Sequence, residues 1–336
     1  MKTIFCLAED RRGAEIGLKL AILSLAEHCP GVPVVLHRPA PIPAFVEWLK
    51  RHPQVRLVTE PLPGANDWNC KPHALLPLLS DDEDTQAVWI DSDIMVTRDP
   101  RPLFESVSPQ TLILAQEAIT QTHQGTGIRT RGWELPVGRE FPRTFNSCVI
   151  RTTRHHRRLL QRWRELLEDP RYIAACEVPV ADLERLPPHL WCDQDVLNAL
   201  IGAAEFADLD VRPLAHGREL LHTGGALGFT VGERLRGLFL PVPTFLHAIA
   251  GKPWVLLTPE LRQPGRKAAF RRLQQELSPF VAHARRYRDQ VDEPTPWFDE
   301  HTPLGTALRI LGLGHWALRG LPVTVAVTVA RKLKLA

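Results

Sequence analysis

Apolar runs of strand length alternate with amphipathic stretches of helix length through the N-terminal part of the chain. "TIFCLA" (Thr3–Ala8) is a short uninterrupted apolar run and predicts a buried strand. Ile16, Leu20, Leu23 and Ala26 or Glu27 follow at helical spacing, so Ala14–Glu27 predicts a helix. "VPVVLH" (Val32–His37) predicts a second strand, "AFVEWLKRH" a short helix and "VRLVT" (Val55–Thr59) a third strand. The Pro, Gly and Asn residues of "EPLPGANDWN" predict a loop. Lys71–Leu79 reads as a helix and "QAVWID" as a fourth strand. Strands and helices in this alternation predict an α/β fold with a mostly parallel, doubly wound sheet flanked by helices.

Beyond Asp99-Pro100 the rhythm changes. "TLILAQ" (Thr111–Gln116) and "FNSCVIR" (Phe145–Arg151) predict strands. The polar segment between them, Glu117–Thr144, predicts a long loop of the kind that carries function or moves. Arg154–Leu167 and Asp193–Ile201 predict helices, with an irregular connection over Pro170–Trp191. Pro259–Arg288 reads as helical with one break at "LSPF", and no internal repeat is visible. The expected organisation is one α/β unit over residues 1–258 and a helical, basic and apolar extension over 259–336.

Composition narrows the function classes. The 336 residues are 44% hydrophobic, enough for one elaborated domain or two small ones. A net charge of +3 gives no bulk attraction for nucleic acid. The basic segment "RTTRHHRRLLQRWR" reads as a solvated helix face, with His155 and His156 on its surface. Six scattered cysteines without a C-x-x-C pair suit reduced thiols in the cytoplasm. "MKTIFCLAEDRRG" turns charged too soon for a signal peptide, and no run reaches the roughly 20 apolar residues that span a bilayer. The tail "TPLGTALRILGLGHWALRGLPVTVAVTVARKLKLA" has two readings, a packing segment or an interfacial segment on an anionic membrane surface. The expected location is therefore the cytoplasm, at the inner face of the cell membrane if the tail is interfacial.

The chemistry concentrates at "AVWIDSDIMV". A buried run ends on Asp91 and Asp93, where open α/β sheets bind their ligands. Two carboxylates in a poorly solvated cleft repel unless a cation lies between them. Oxygen donors suit Mg²⁺ or Mn²⁺, which commonly bridge carboxylates to phosphate oxygens, so the pair reads as a metal-diphosphate site. Haloacid-dehalogenase-type phosphatases also place D-x-D after a buried strand. Here Met95 occupies the position where they carry Thr or Val, and no Gly-Asp-x-x-x-Asp follows.

Four further segments accompany the pair in order: Lys71 in "WNCKPHALLPLL", Asn146 in "TFNSCVI", Asp193, Gln194 and Asp195 in "WCDQDVLNAL", and His247, Gly251, Lys252 and Trp254 in "FLHAIAGKPW". From Thr3 to Trp254 this order resembles the nucleotide-sugar glycosyltransferases of the GT-A fold, and most closely glycosyltransferase family 8. The resemblance implies a metal-dependent, retaining hexosyltransferase that uses a UDP-sugar and a saccharide or lipid-linked saccharide acceptor. It implies that Asp91, Asp93 and His247 hold Mn²⁺ or Mg²⁺, and that Lys252 neutralises the departing diphosphate. It places Lys71 near the phosphates or donor sugar, and Asn146, Asp193 and Gln194 around the donor hexose. Asp193, Gln194 and Asp195 are the residues considered for catalysis, and Gly251 would let the backbone approach the phosphates.

The sequence departs from the family pattern in three places. Ser147-Cys148 replaces a small-Gly pair, so a side chain at Cys148 would crowd the donor sugar pocket or shift the backbone. His247 and Lys252 stand one residue closer than usual, and the first strand lacks an Asn or Tyr for uridine stacking. Structural alternatives also exist. Asp193 could be an N-cap, Asp195 a first-turn acid, Asn146 a turn former and His247 a core histidine. Trp254 reads as a packing residue that fixes Lys252. A relative that binds sugar nucleotides without catalysis is the third function class, beside the transferase and the phosphatase.

Overall fold

The computed structural model describes all residues except 12, 63–68, 80–83, 118–124, 180–181, 183–184, 224–228, 250–251, 257–264, 299–300 and 333–336. Its strands are β1 (Lys2–Ala8), β2 (Val34–His37), β3 (Val55–Val58), β4 (Thr85–Ile90), β5 (Ile94–Val96), β6 (Leu112–Gln116), β7 (Phe145–Thr153), β8 (Val211–Leu214), β9 (Leu220–His222) and β10 (Phe245–His247). Seven of them form one sheet in the order β3-β2-β1-β4-β7-β6-β8, and β5-β10-β9 form a second. In the large sheet β1 to β4 run parallel, and only β7 runs against its neighbours β4 and β6. The mixed α/β architecture with a mostly parallel sheet therefore stands as the sequence predicts.

Alternation along the strands explains why the sheet is buried on both sides. Phe5, Leu7, Val88 and Ile90 face one apolar cluster with Leu18, Ile22 and Phe45. Cys6, Ala87 and Trp89 face the other, with Leu160, Trp163, Val196 and Leu200. Helices cover each face, which is why these strands read as continuous apolar runs. Chain order reverses beside β1: β2 and β3 lie on one side and β4 on the other. Ligand clefts form at such switch points, beyond the carboxyl ends of the strands.

The turn Asp91–Asp93 connects the two sheets. Asp91 N–H donates to Cys148 O (2.9 Å) and Ile94 N–H to Asp91 O (3.1 Å), so the chain leaves β4 and enters β5 directly. β5 pairs antiparallel with β10, with Ile94 opposite His247, and β9 pairs parallel with β10, with His222 opposite His247. Ala248 N–H donates to Asp93 O at 3.0 Å. His247 is thus fixed beside Asp93 by sheet register.

Several elements differ from expectation. Pro170–Cys176 is a helix where an irregular connection was expected. Asp169 caps it by accepting from Arg171 N–H (2.8 Å), and Pro170 occupies the first turn, a start signal written in "DPR". The long polar segment contains a helix, Gly127–Gly132, and β8 and β9 are strands too short to give a clear period. His156 is fully buried, contrary to its expected place on the surface. Its Nδ1 accepts from Thr153 N–H (2.9 Å) at the start of the following helix. The expected boundary at 258–259 lies outside the described residues. Beyond it, Phe280, Val281, Tyr287, Trp297 and Phe298 join the same apolar cluster as Phe5 and Leu18. Helices Arg266–Glu276 and Pro279–Ala284 are separated at Leu277-Ser278, within the predicted break.

Candidate active site

A cleft of about 660 Å³ opens where β1, β2, β4 and β6 end and β7 begins. Asp91, Asp93, His247 and Lys252 line it together with Lys71, Asn146, Ser147, Asp193, Gln194 and Glu117. Residues dispersed over most of the sequence therefore converge on one concave surface.

The aspartates are compensated from three directions. Lys71 Nζ stands 3.7 Å from Asp91 Oδ1, and Trp89 Nε1–H donates to the same oxygen at 2.7 Å. Burial alone would raise the Asp91 carboxyl, but Lys71, His247, the Trp89 bond and Lys252 hold it below its ordinary value. Asp93 is buried, paired with Lys252 Nζ through Oδ2, and 3.4 Å from His247 Nε2 through Oδ1. Burial and Arg11 push the Lys252 ammonium down to about 8, against the pull of Asp91 and Glu9. Trp254, packed on Phe280 at 5.9 Å between ring centroids, anchors the segment after Lys252. A Cβ on Gly17 would meet the Trp254 ring at 2.7 Å, so the close approach of these elements requires a glycine there.

A second polar network adjoins the aspartates through Lys71. Lys71 Nζ donates to Asp193 Oδ2 (2.8 Å), and Ser147 Oγ donates to the same oxygen (3.0 Å). Burial disfavours the Lys71 charge, yet Asp193 and Asp91 raise its pKa above the ordinary value. Asn146 Nδ2 and Gln194 Nε2 both donate to Glu117 Oε2, at 2.8 and 3.2 Å. Asn146 Oδ1 accepts from Cys148 N–H at 3.0 Å, so Asn146 serves its own turn as well as this network. The β6–β7 register jumps between Leu114↔Ile150 and Ala115↔Asn146, a bulge that leaves Ser147–Val149 without partners on β6. Bulges of this kind re-aim side chains at sites, and here Ser147 is delivered to the cleft.

Asp193 does not act as an N-cap: Cys192 holds that position, and the Asp193 carboxylate goes to Lys71 and Ser147. Asp195, considered for catalysis from sequence, is not among the residues lining the cleft. Its carboxylate is buried, held by Arg129 Nε (2.5 Å) and Cys192 Sγ (2.9 Å). Burial raises its pKa despite Arg129. Gly251 lies outside the described residues. Cys148 is not among the residues lining the cleft. Its buried thiol groups with His222 and His247.

Sequence reasoning missed Glu117, Ser147, Glu9, Arg11, His37 and His222. Glu9 lines the cleft at the end of β1, accepting from Ser92 Oγ (2.6 Å) and Arg11 Nη2 (2.7 Å). Burial would raise its pKa, but Arg11 and Ser92 lower it. His37 ends β2 in the cleft and is buried, with no hydrogen-bond partner for either ring nitrogen among the described residues. A polar residue directly after a predicted strand was the one available signal for Glu9 and Glu117.

One oxygen each from Asp91 and Asp93 and one nitrogen of His247 lie within 4.8 Å of one another. The two carboxylates fit the oxygen preference of Mn²⁺ or Mg²⁺, and the imidazole adds a nitrogen donor that suits a transition metal better than Mg²⁺. The spacing departure at His247 does not remove it from reach of Asp93.

No protein-family profile and no curated protein matches this chain. Solved structures do. The bifunctional glycosyltransferase WbbM aligns with a TM-score of 0.53 at 13% identity, over 88% of this chain and 50% of its own. Glycosyltransferase GlyE of Streptococcus pneumoniae TIGR4 aligns at 0.49 and 18% identity, over 88% and 65%. Galactosyltransferase LgtC, solved with donor and acceptor sugar analogues, aligns at 0.48 and 14% identity, over 80% and 99%. This chain thus spans half of WbbM and somewhat under two thirds of GlyE. The likeness to WbbM establishes the fold as that of the GT-A glycosyltransferases.

Lys71 is the shared counter-charge of both networks, and its side chain and that of Asp193 are 8% and 6% exposed. Breaking a buried pair from one side leaves an uncompensated charge. Lys71→Met is expected to lower unfolding free energy by about 3–5 kcal/mol in denaturant titration. Adding Asp193→Asn should recover part of that loss. A Lys71→Met chain as stable as its parent would contradict this charge balance.

Proposed function

We propose that this chain is a metal-dependent, retaining glycosyltransferase that moves a hexose from a UDP-sugar to a saccharide or lipid-linked saccharide acceptor. The observation that carries the reading is the convergence of Asp91, Asp93 and His247 in one cleft, with Lys252 on Asp93 and a second polar network lining the same cleft. Asp91, Asp93 and His247 would hold Mn²⁺ or Mg²⁺, which when bound supplies Lewis-acid stabilisation of the leaving diphosphate. Membership of family 8 is part of the proposal and rests on the motif order.

The chain's own groups divide the remaining work. In glycosyl transfer the bond from the anomeric carbon to the diphosphate oxygen breaks, and its electron pair leaves with the diphosphate. The acceptor hydroxyl oxygen forms the new bond, and its proton ends on the departing diphosphate. Lys252 stands where it can neutralise that leaving group. Glu117, held by Asn146 and Gln194, and Asp193, held by Lys71 and Ser147, line the cleft and would counter the positive charge that develops on the sugar. Asn146 and Gln194 orient Glu117, and Lys71 orients Asp193 while remaining near the phosphates. Asp195, held by Arg129 away from the cleft lining, has no direct part in this reading.

No helix among the described residues is long and apolar enough to cross a membrane. Phe239, Ile310 and Leu311 are nevertheless 89%, 81% and 73% exposed, and exposed Arg236 stands close to Phe239 in sequence. These features support peripheral contact with an anionic bilayer.

Calorimetric titration of UDP with and without Mn²⁺, on the parent and on Asp93→Asn, tests the donor site. Binding should need both the metal and Asp93, with affinity reduced at least tenfold when either is missing; absence of binding under every condition would overturn the UDP assignment. Phosphate release from an aryl phosphate would favour a phosphatase. Co-sedimentation with phosphatidylglycerol vesicles tests the surface. The double variant Phe239→Glu/Ile310→Glu should lose vesicle binding, and unchanged sedimentation would contradict bilayer contact there.

A further inference from the structure

We propose that His222 is a positioning residue that fixes the tautomer of His247, so that the Nε2 lone pair of His247 faces Asp93. This rests on the reading of Asp91, Asp93 and His247 as a metal site, and it adds a residue that no motif contains. The register of β9 on β10 sets His222 directly beside His247.

The proton positions follow from the partners. His222 Nε2 is 3.0 Å from Gln116 O. A carbonyl oxygen only accepts, so Nε2 of His222 carries the proton. In neutral His222 the other nitrogen, Nδ1, is then a bare acceptor. It lies 2.9 Å from His247 Nδ1, a hydrogen-bond distance that admits one proton between the two rings. That proton belongs to His247 Nδ1. Neutral His247 is left with its lone pair on Nε2, the nitrogen 3.4 Å from Asp93 Oδ1. A metal-ligating histidine needs this arrangement: one nitrogen donating to a fixed partner and the other bare toward the ion.

The second ring is itself immobilised. His216 stacks on His222 with centroids 5.1 Å apart and planes 23° apart, and Phe229 stacks on His216 at 4.3 Å and 15°. The chain Gln116 carbonyl, His222, His247 therefore holds both rings in one orientation. Cys148, His222 and His247 also form a group whose ligand atoms lie within 4.8 Å. The 2.9 Å between the two Nδ1 atoms, however, leaves room for one proton, and on this assignment it occupies the lone pair that His222 would offer to an ion.

Two measurements test the proposal. Two-bond ¹⁵N–¹H correlation spectra of histidine-labelled, metal-free protein should show His222 protonated at Nε2 and His247 protonated at Nδ1. Mn²⁺ titration followed by electron paramagnetic resonance should show about 10–100-fold weaker binding for His222→Phe. His222→Gln, whose amide oxygen can still accept from His247, should stay within about threefold of the parent. The proposal is overturned if metal-free His247 carries its proton on Nε2 with Nδ1 bare, or if His222→Phe binds Mn²⁺ like the parent while Asp93→Asn does not. It is also overturned if a tightly bound ion is lost on Cys148→Ala but kept on Asp93→Asn. If Asp93→Asn leaves Mn²⁺ affinity unchanged and no such ion exists, the metal-site reading fails, and the spectra still decide the tautomer by themselves.

Discussion

Two carboxylates one residue apart at the end of a buried strand repel by about 4 kcal/mol if they approach to about 4 Å in a partly desolvated setting. Asp91 and Asp93 occupy such a position, where Lys71 and Lys252 compensate them and His247 stands beside Asp93. Lys71 arrives on the helix Cys70–Leu75, His247 at the end of β10 and Lys252 just beyond it. None of the three is close to the aspartates in sequence. The fold is what brings them there, and the charge balance of the cleft depends on that convergence.

Topology explains how the convergence is achieved. β4 ends at the switch point of the large sheet, and the Asp91–Asp93 turn hands the chain to β5 in the small one. β5 then pairs with β10, so the carboxylates and His247 are held by backbone ladders on both sides. In the same cleft, the β7 bulge turns Ser147 toward Asp193, and the carboxyl end of β6 presents Glu117 to Asn146 and Gln194. A metal-diphosphate reading needs both kinds of group: some to handle the negative charge that leaves, and carboxylates to counter the positive charge that develops on a sugar.

The sequence made part of this legible. The first four strands were readable because both faces of the sheet are covered, which produces unbroken apolar runs at strand length. Asp91 and Asp93 stood out because they interrupt such a run. β8 and β9, at four and three residues, carry too few positions for a period, so His222 passed unnoticed in a Gly-rich stretch. His156 looked solvated beside Arg157 and Arg158, but its capping bonds to Thr153 draw it inside. Asp195 sits two residues from Asp193 on the same helix, yet helical rotation turns it away from the cleft and toward Arg129. Glu117 and Ser147 gain their roles only through long-range partners, which no local pattern encodes.

The central claim is that Asp91, Asp93 and His247 hold a cation against a diphosphate. Diffraction from crystals grown with Mn²⁺ and UDP, collected at the manganese absorption edge, tests it most directly. The expected result is an anomalous peak within coordination distance of all three residues, with the diphosphate between the ion and Lys252. A peak at other residues, or UDP bound in the cleft with no ion on Asp91 and Asp93, would contradict it.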